Sequence, residues 1–143
     1  MKRRGPDTLE QYCNKIGSNH VTLLHSRLSI IDLDDRANQP MQRGPHIVIT
    51  NGEIYNFVEL REKYSSFPYR TLGDMETVLA AMDFLGRDFV HALKGMFALG
   101  IYEVPERHLT LLRDHTGIKP LFWGQFGGSF IFGSELKPFF EFF

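Results

Sequence analysis

The alternation of apolar and polar positions predicts an α+β domain in which strands come first, helices follow and strands return. β-Branched and aromatic runs predict strands at residues 21–25, with an apolar continuation at 27–31, and at 46–50, 96–102, 108–112, 121–123 and 130–132. Apolar residues at helical spacing predict helices at 56–64, 75–85 and 88–93. Residues 1–19 are rich in turn-forming residues, and no strand is predicted there.

The stretch from His46 to Asn56 organises this prediction. It begins as a β-branched run and breaks at Asn51-Gly52, a pair that tolerates positive φ and lets backbone N–H groups face outward. Asn56 is the expected N-cap of the next helix, because Glu59 follows it at the spacing of a capping box. The pattern therefore predicts a strand–turn–helix connection that presents an amide, a backbone N–H and a carboxylate at one point.

Length and charge narrow the class of protein. A chain of 143 residues with 43% hydrophobic residues forms one domain, and its net charge of −1 favours neither nucleic acid nor a membrane surface as a partner. The six histidines lack ligand spacing, and a single cysteine excludes a disulfide scaffold and a cysteine-based zinc site. Since no membrane-length apolar run and no signal peptide are present, we expect a cytoplasmic domain without a metal.

Three polar clusters lie at the predicted ends of strands or starts of helices, at residues 25–27, 51–53 and 73–76. If the ligand were an α-amino acid, Arg27 would suit its carboxylate, because a guanidinium binds a carboxylate through two parallel hydrogen bonds. Asp74 or Glu53 would suit the ammonium. The Asn51 side chain and the Gly52 N–H would form a pair of donors for a tetrahedral intermediate on a side-chain amide.

Each of these residues also has an ordinary structural explanation. Arg27 could form a surface ion pair, Asp74 could cap a helix, and Asn51-Gly52 could be a turn. Spacing alone leaves these alternatives open.

A set of blocks along the chain carries a resemblance to a known family. In order they are Arg4-Gly-Pro-Asp7, His25-Ser-Arg-Leu-Ser-Ile-Ile-Asp-Leu33, Gln39-Pro40, Asn51-Gly-Glu-Ile-Tyr-Asn56, Gly95-Met-Phe-Ala98, Arg113-Asp114, Gly117-Ile-Lys-Pro-Leu121 and Ser134-Glu-Leu-Lys137. The chain resembles the glutaminase (class II glutamine amidotransferase) domain of glutamine-hydrolysing asparagine synthetases, and the resemblance covers nearly all of it.

The resemblance implies an N-terminal-nucleophile hydrolase fold, a four-layer αββα sandwich of antiparallel sheets. It implies hydrolysis of glutamine to glutamate and ammonia through a thioester, with the ammonia passed to an ATP-dependent synthetase domain that makes asparagine. Carried over by motif, Arg27 would hold the glutamine carboxylate, Asn51 and Gly52 would form the oxyanion hole, and Glu53 and Asp74 would fix the amine. ATP and Mg²⁺ are expected only for the synthetase domain, so this domain would need no cofactor.

The chain departs from the family at its ends. The family's nucleophile is an N-terminal cysteine whose free amine acts as the base, and it precedes the Arg-Gly-Pro-Asp block. Cys13 follows that block and lies in Tyr12-Cys-Asn-Lys15, which does not resemble the nucleophile motif. We therefore expect residues 1–143 to form a single incomplete domain that is truncated at its N-terminal strand and helix and is inactive alone.

Whether the chain is an enzyme thus stays open at this stage. The alternative is a non-catalytic module that binds glutamine or a partner protein through the same pocket. A structural α+β domain with a residual resemblance is a further possibility. The expected partners are glutamine and a synthetase domain or chain, and the sequence does not indicate the oligomeric state.

Overall fold

The computed structural model describes residues 5–142. The strands are β1 (Thr8–Ile16), β2 (Asn19–Arg27), β3 (Met41–Arg43), β4 (His46–Ile54), β5 (Gly95–Glu103), β6 (His108–Arg113), β7 (Phe122–Phe126) and β8 (Ser129–Gly133). The α-helices are α1 (Phe57–Lys63) and α2 (Glu76–Leu85), and 3₁₀ turns cover Asp35–Ala37, Gly86–Ala92 and Lys137–Phe142. Residues 1–4 and 143, which include Arg4 of the first motif block and the last phenylalanine, lie outside the described part.

A four-stranded antiparallel sheet in the order β3-β4-β5-β6 forms the centre of the fold. Side chains of β4 alternate between its two faces. Val48 and Ile54 point to the face that α1 and α2 cover, where they join Leu60, Val78 and other apolar residues in the larger core cluster. The larger part of the hydrophobic core therefore lies between this sheet and the two helices.

The opposite face of the sheet carries two separate hairpins, β1–β2 and β7–β8. Ile47 packs there with Leu23 of β2 and Tyr102 of β5 in a second cluster, and Phe132 of β8 also contacts it. Gly100 gives the Phe132 ring room, because a β-carbon at that position would lie 2.8 Å from the ring. The order of layers is helices, sheet and hairpins, which confirms the expected α+β sandwich of antiparallel sheets. Both α-helices in residues 5–142 lie on the same side.

The sequence predicted the regular elements unevenly. Helix α2 and strands β5 and β6 lie where the apolar spacing placed them, and Gly86 ends α2 as expected, with φ of 55°.

The expectation of no strand before residue 19 is wrong, because β1 pairs along its whole length with β2. The apolar stretch 27–31 does not continue as a strand, since β2 ends at Arg27. Exposed polar residues alternate along β1, and this solvent-facing side concealed the strand.

Asn56 is the N-cap residue of α1, as the sequence predicts, but the side-chain bond expected of a capping box is absent. Its side chain makes no cap hydrogen bond to α1. Instead the Asn56 side-chain N–H donates to the Ala92 carbonyl at 2.9 Å, and its oxygen accepts the Lys94 N–H at 2.8 Å. Asn56 thus joins the start of α1 to the segment that leads into β5.

No helix in the described range is long and apolar enough to cross a membrane.

We expect Ile101→Ala to lower the free energy of unfolding by about 2–5 kcal/mol, because it leaves a cavity in the core. Ile101 lies in β5 and is 1% exposed. Leu9→Ala is the matched control, since Leu9 is 55% exposed on β1 and its loss should change stability by less than about 0.5 kcal/mol. Urea unfolding of both variants measures the difference, and equal effects would contradict the assignment of the core.

Candidate functional site

A cavity of about 940 Å³ lies beside the outer edge of β4, which is the edge that faces away from β5. Residues of β2 and β8, the second half of β4, the middle of β5 and the segment 71–75 contribute to its lining. All five residues proposed from the sequence are among them: Arg27, Asn51, Gly52, Glu53 and Asp74. The structure therefore brings together residues as far apart in the chain as Arg27 and Asp74, which are separated by 47 positions.

Asn51-Gly52 is not the turn that the sequence predicted. Strand β4 continues through both residues to Ile54, and Gly52 pairs with Phe97 of β5. A β-carbon at Gly52 would lie 2.1 Å from the Met96 carbonyl oxygen and 2.6 Å from the Phe97 α-carbon. The glycine is required by this close approach of two backbones, so the paired strand overrides the local turn tendency of Asn-Gly.

The pairing register fixes where the Gly52 N–H points. In an antiparallel pair, opposed residues direct their N–H and C=O groups either toward each other or away from each other. Phe97 donates its N–H to the Asp114 carboxylate at 3.2 Å and accepts the Asp114 N–H at 2.8 Å, so its groups face away from β4. Its partner Gly52 therefore directs its N–H and C=O away from β5, to the outer edge.

Strand β3 covers only the first part of this edge. The pairing of Met41 with Val48 would place Gln39 opposite Thr50, but the chain has left the sheet there. The Thr50 N–H donates instead to the Gln39 side-chain oxygen at 2.6 Å. The Thr50 carbonyl lies 3.1 Å from Nε2 of His25 on β2. Two side chains thus replace a strand at Thr50.

Asp74 occupies the next covered position on the edge. Its carboxylate accepts the Ile54 N–H at 2.9 Å, and the residue is 7% exposed. Burial, together with the negative charge of Glu53, raises the pKa of the Asp74 carboxyl above its ordinary value. Its side chain binds the strand and does not cap α2, whose N-cap Met75 has no side-chain cap bond. Glu53 is half-buried beside it.

The segment that carries Asp74 is fixed by a second buried carboxylate. Glu76 accepts the backbone N–H groups of Arg70 and Thr71, and it also accepts the Thr71 hydroxyl at 2.8 Å. Arg61 of α1 donates to the Thr71 and Gly73 carbonyls at 2.5 and 3.0 Å. Helix α1 and helix α2 thus hold the same short segment from both sides, which sets the position of Asp74.

Arg27 is buried at the end of β2, and it is not the surface ion pair that its sequence context allowed. Its guanidinium donates to the Asn38 side-chain oxygen at 2.8 Å and to the carbonyls of Asp34 at 3.2 Å, Ile31 at 3.4 Å and Asp32. In this arrangement Arg27 orders the loop of residues 28–38. A carboxylate that bound Arg27 would compete with these neutral acceptors, which a charged acceptor can do.

Asp32 connects this loop to the segment that carries Asp74. Its carboxylate accepts the Leu72 N–H at 2.5 Å and the Asp34 N–H at 3.0 Å. These bonds lower the pKa of the Asp32 carboxyl, with the Leu72 bond as the largest cause. The two loops on either side of the cavity are therefore joined to each other.

Sequence reasoning missed the roles of His25, Gln39 and Glu76. His25 and Gln39 lie in two of the motif blocks, but only the fold shows that both bind Thr50. Cys13 lies exposed on β1 and does not line the cavity. No cluster of potential metal ligands occurs among residues 5–142.

A model of the glutamine amidotransferase domain matches residues 1–142. The chain belongs to this family. It is 38% identical over 96% of its length to asparagine synthetase B [glutamine-hydrolyzing] of Escherichia coli K12, and covers 24% of that protein. Asparagine synthetase [glutamine-hydrolyzing] 2 of Bacillus subtilis is 38% identical over 96% of this chain and 18% of its own length. Asparagine synthetase [glutamine-hydrolyzing] 2 of Arabidopsis thaliana is 36% identical over 96% of this chain and 23% of its own length.

A solved structure shares the fold. Glutamine phosphoribosylpyrophosphate amidotransferase of B. subtilis superposes on 82% of this chain and 28% of its own, with a TM-score of 0.71 at 21% identity. At that identity the likeness supports the fold alone. This amidotransferase domain spans less than a third of the length of the curated relatives that it matches.

We expect Gly52→Ala to lower the free energy of unfolding by about 1–3 kcal/mol, because the new methyl group overlaps the β5 backbone. Gly73→Ala is the control within the same cavity wall, since its β-carbon would meet no atom closer than 3.6 Å. Thermal unfolding followed by circular dichroism compares the two variants. A Gly52→Ala protein as stable as the Gly73→Ala protein would contradict the close pairing of β4 with β5.

Proposed function

We propose that this chain binds L-glutamine in the cavity beside β4 and presents its side-chain amide to the Asn51 side chain and the Gly52 N–H. The observation that carries the proposal is the outer edge of β4. Thr50 and Ile54 on this edge are held by side chains, whereas the Gly52 N–H between them is turned outward, and no strand within residues 5–142 pairs with it there. A preorganised backbone donor of this kind stabilises an oxyanion.

The charges around this donor suit the two ends of an amino acid. Asp74 and Glu53 place two carboxylates near each other, and their repulsion is relieved when an ammonium binds between them. Arg27 lies on the same cavity wall and offers a cation to the α-carboxylate. The three groups thus match the ammonium, the carboxylate and the amide of glutamine in chemical type.

Hydrolysis needs a nucleophile in addition to this binding site. When a cysteine is supplied as in the family, we propose that attack on the bound amide gives glutamate and ammonia, and that an ATP-dependent synthetase domain uses the ammonia to make asparagine. ATP and Mg²⁺ would belong to that domain. A cytoplasmic location remains the prediction made from the sequence.

Binding without hydrolysis is the second candidate function. The exposed position of Cys13 on β1, outside the cavity lining, favours it for residues 1–143. An ammonia-release assay on the same sample separates the two functions. Release of ammonia by the 143-residue chain would overturn the expectation that it is inactive alone.

Calorimetric titration with L-glutamine tests the proposed site. We expect Arg27→Ala to abolish detectable binding, and Arg27→Lys to weaken it, because lysine keeps the charge and loses the planar fork. Asn38→Ala is the control that removes an acceptor of Arg27 and keeps the guanidinium.

A matched ligand distinguishes carboxylate binding from loop ordering. 4-Aminobutanamide keeps the amine and amide of glutamine and lacks the carboxylate, so Arg27→Ala should leave its affinity unchanged. If Asn38→Ala abolishes glutamine binding as fully as Arg27→Ala does, the carboxylate role of Arg27 is wrong. No binding of glutamine by the unmodified chain would refute the proposed function itself.

Glutamine affinity should also depend on pH through Asp74. The ammonium needs the ionised carboxylate, and burial together with Glu53 raises the pKa of Asp74 in the free protein. Affinity should therefore be full above this raised pKa and should fall as the pH is lowered through it. Titrations between about pH 8 and pH 4, a range that lies above the ordinary aspartate pKa, measure the fall. Asp74→Asn should bind weakly with little pH dependence, and an unchanged pH profile in that variant would exclude Asp74 as the titrating group.

A further inference from the structure

The peptide group of Thr50 is held at both its N–H and its C=O by side chains from two other segments. Gln39 accepts the N–H at 2.6 Å, and His25 approaches the carbonyl at 3.1 Å. Thr50 is 4% exposed, so water does not replace these partners readily. The following residues, Asn51 and Gly52, carry the proposed oxyanion donors.

The chemistry of the contact fixes the state of His25. A carbonyl oxygen only accepts, so Nε2 must carry the proton and donate it to Thr50. In the neutral ring Nδ1 is then unprotonated and carries a lone pair that could accept a hydrogen bond. This atom is buried and has no hydrogen-bond partner among residues 5–142. Burial lowers the pKa of His25, which favours the neutral ring.

Gln39 occupies the position that a longer β3 would have used. Pairing of Met41 with Val48 places it opposite Thr50 by register, and Pro40 beside it has no N–H to donate. A backbone strand continued past this point would run along the edge toward Gly52 and pair with its N–H. The side-chain contact therefore satisfies Thr50 and leaves the Gly52 position open.

We propose that His25 and Gln39 are positioning residues of the candidate glutamine site, which hold the Thr50 peptide and thereby keep the Gly52 N–H directed into the cavity. This proposal rests on the proposed function for its ligand, while the position of the two amides can be measured without any ligand. Neither side chain is required to touch glutamine.

The test uses amide NMR spectra of the 143-residue chain, four variants of the two positions and two control variants. His25→Phe and Gln39→Met remove the two contacts, whereas His25→Gln retains a donor and Gln39→Glu retains an acceptor. His115→Phe and Gln42→Met are controls, since both residues are exposed and lie outside the cavity lining. Hydrogen exchange of the Thr50 and Gly52 amides is measured first, without ligand, and L-glutamine is then titrated below the unfolding temperature of every variant.

In Gln39→Met we expect the Thr50 amide to exchange about tenfold faster, the effect of losing one hydrogen bond of ordinary net strength. In His25→Phe and Gln39→Met we expect glutamine affinity to fall by about tenfold for the same reason, with an altered Gly52 amide shift. His25→Gln and Gln39→Glu should recover most of the loss. A merely structural role would lower the unfolding temperature and leave the Gly52 shift and the affinity unchanged.

The outcomes separate this proposal from the proposed function. If the unmodified chain binds glutamine and both His25→Phe and Gln39→Met bind it equally well with an unchanged Gly52 amide, the positioning role is overturned and the function stands. If the unmodified chain binds no glutamine, the function fails, and the ligand-free Thr50 and Gly52 amides still decide the positioning role. If His25→Phe does not fold, Gln39→Met and Gln39→Glu still test the Gln39 contact. If Gln39→Met does not fold, His25→Phe and His25→Gln still test the His25 contact.

Discussion

The structure depends on how the outer edge of β4 is satisfied after β3 leaves it. Buried N–H and C=O groups on a strand edge need partners, and a neighbouring strand normally supplies them. Here β3 begins only at Met41, so it does not reach Thr50, and side chains from β2, from the loop before β3 and from the segment before α2 bind the edge there. Because side chains reach the edge from different directions, they leave space beside it. This space forms part of the cavity, which residues of β8 and the middle of β5 also line.

The same bonds determine the electrostatics of the cavity. The buried Asp74 carboxylate accepts the Ile54 N–H, and in this position the negative charge of Glu53 helps to raise its pKa. The guanidinium of Arg27 donates to the loop of residues 28–38 and does not neutralise this pair. Two carboxylates are thus kept near each other without a cation between them in the described structure. Such an arrangement favours a ligand that brings its own positive charge, which is the property required of an ammonium site.

Local sequence patterns predicted the elements whose stability is local. Helix α2 follows from its apolar spacing, and its end follows from Gly86. The extent of β4 could not be predicted in this way, because Asn51-Gly52 prefers a turn and only pairing with β5 extends it. The contacts of His25 and Gln39 depend on a register that the sequence does not show. The polar clusters and the motif blocks selected Arg27, Asn51, Gly52, Glu53 and Asp74, but only the fold shows that all five line one cavity and which groups they bond to.

Several disagreements between local preference and observed structure lie close to Gly52. A turn-forming pair lies inside a strand, the Asp74 carboxylate is buried near it with Glu53 half-buried beside it, and a histidine nitrogen has no partner among the described residues. Each of these costs stability on its own, and a chain selected only for stability would avoid them. Their concentration around Gly52 has a common explanation: a backbone N–H can serve a ligand only if no strand pairs with it and no side chain obstructs it. The residues around it bind the neighbouring peptides so that this one remains available.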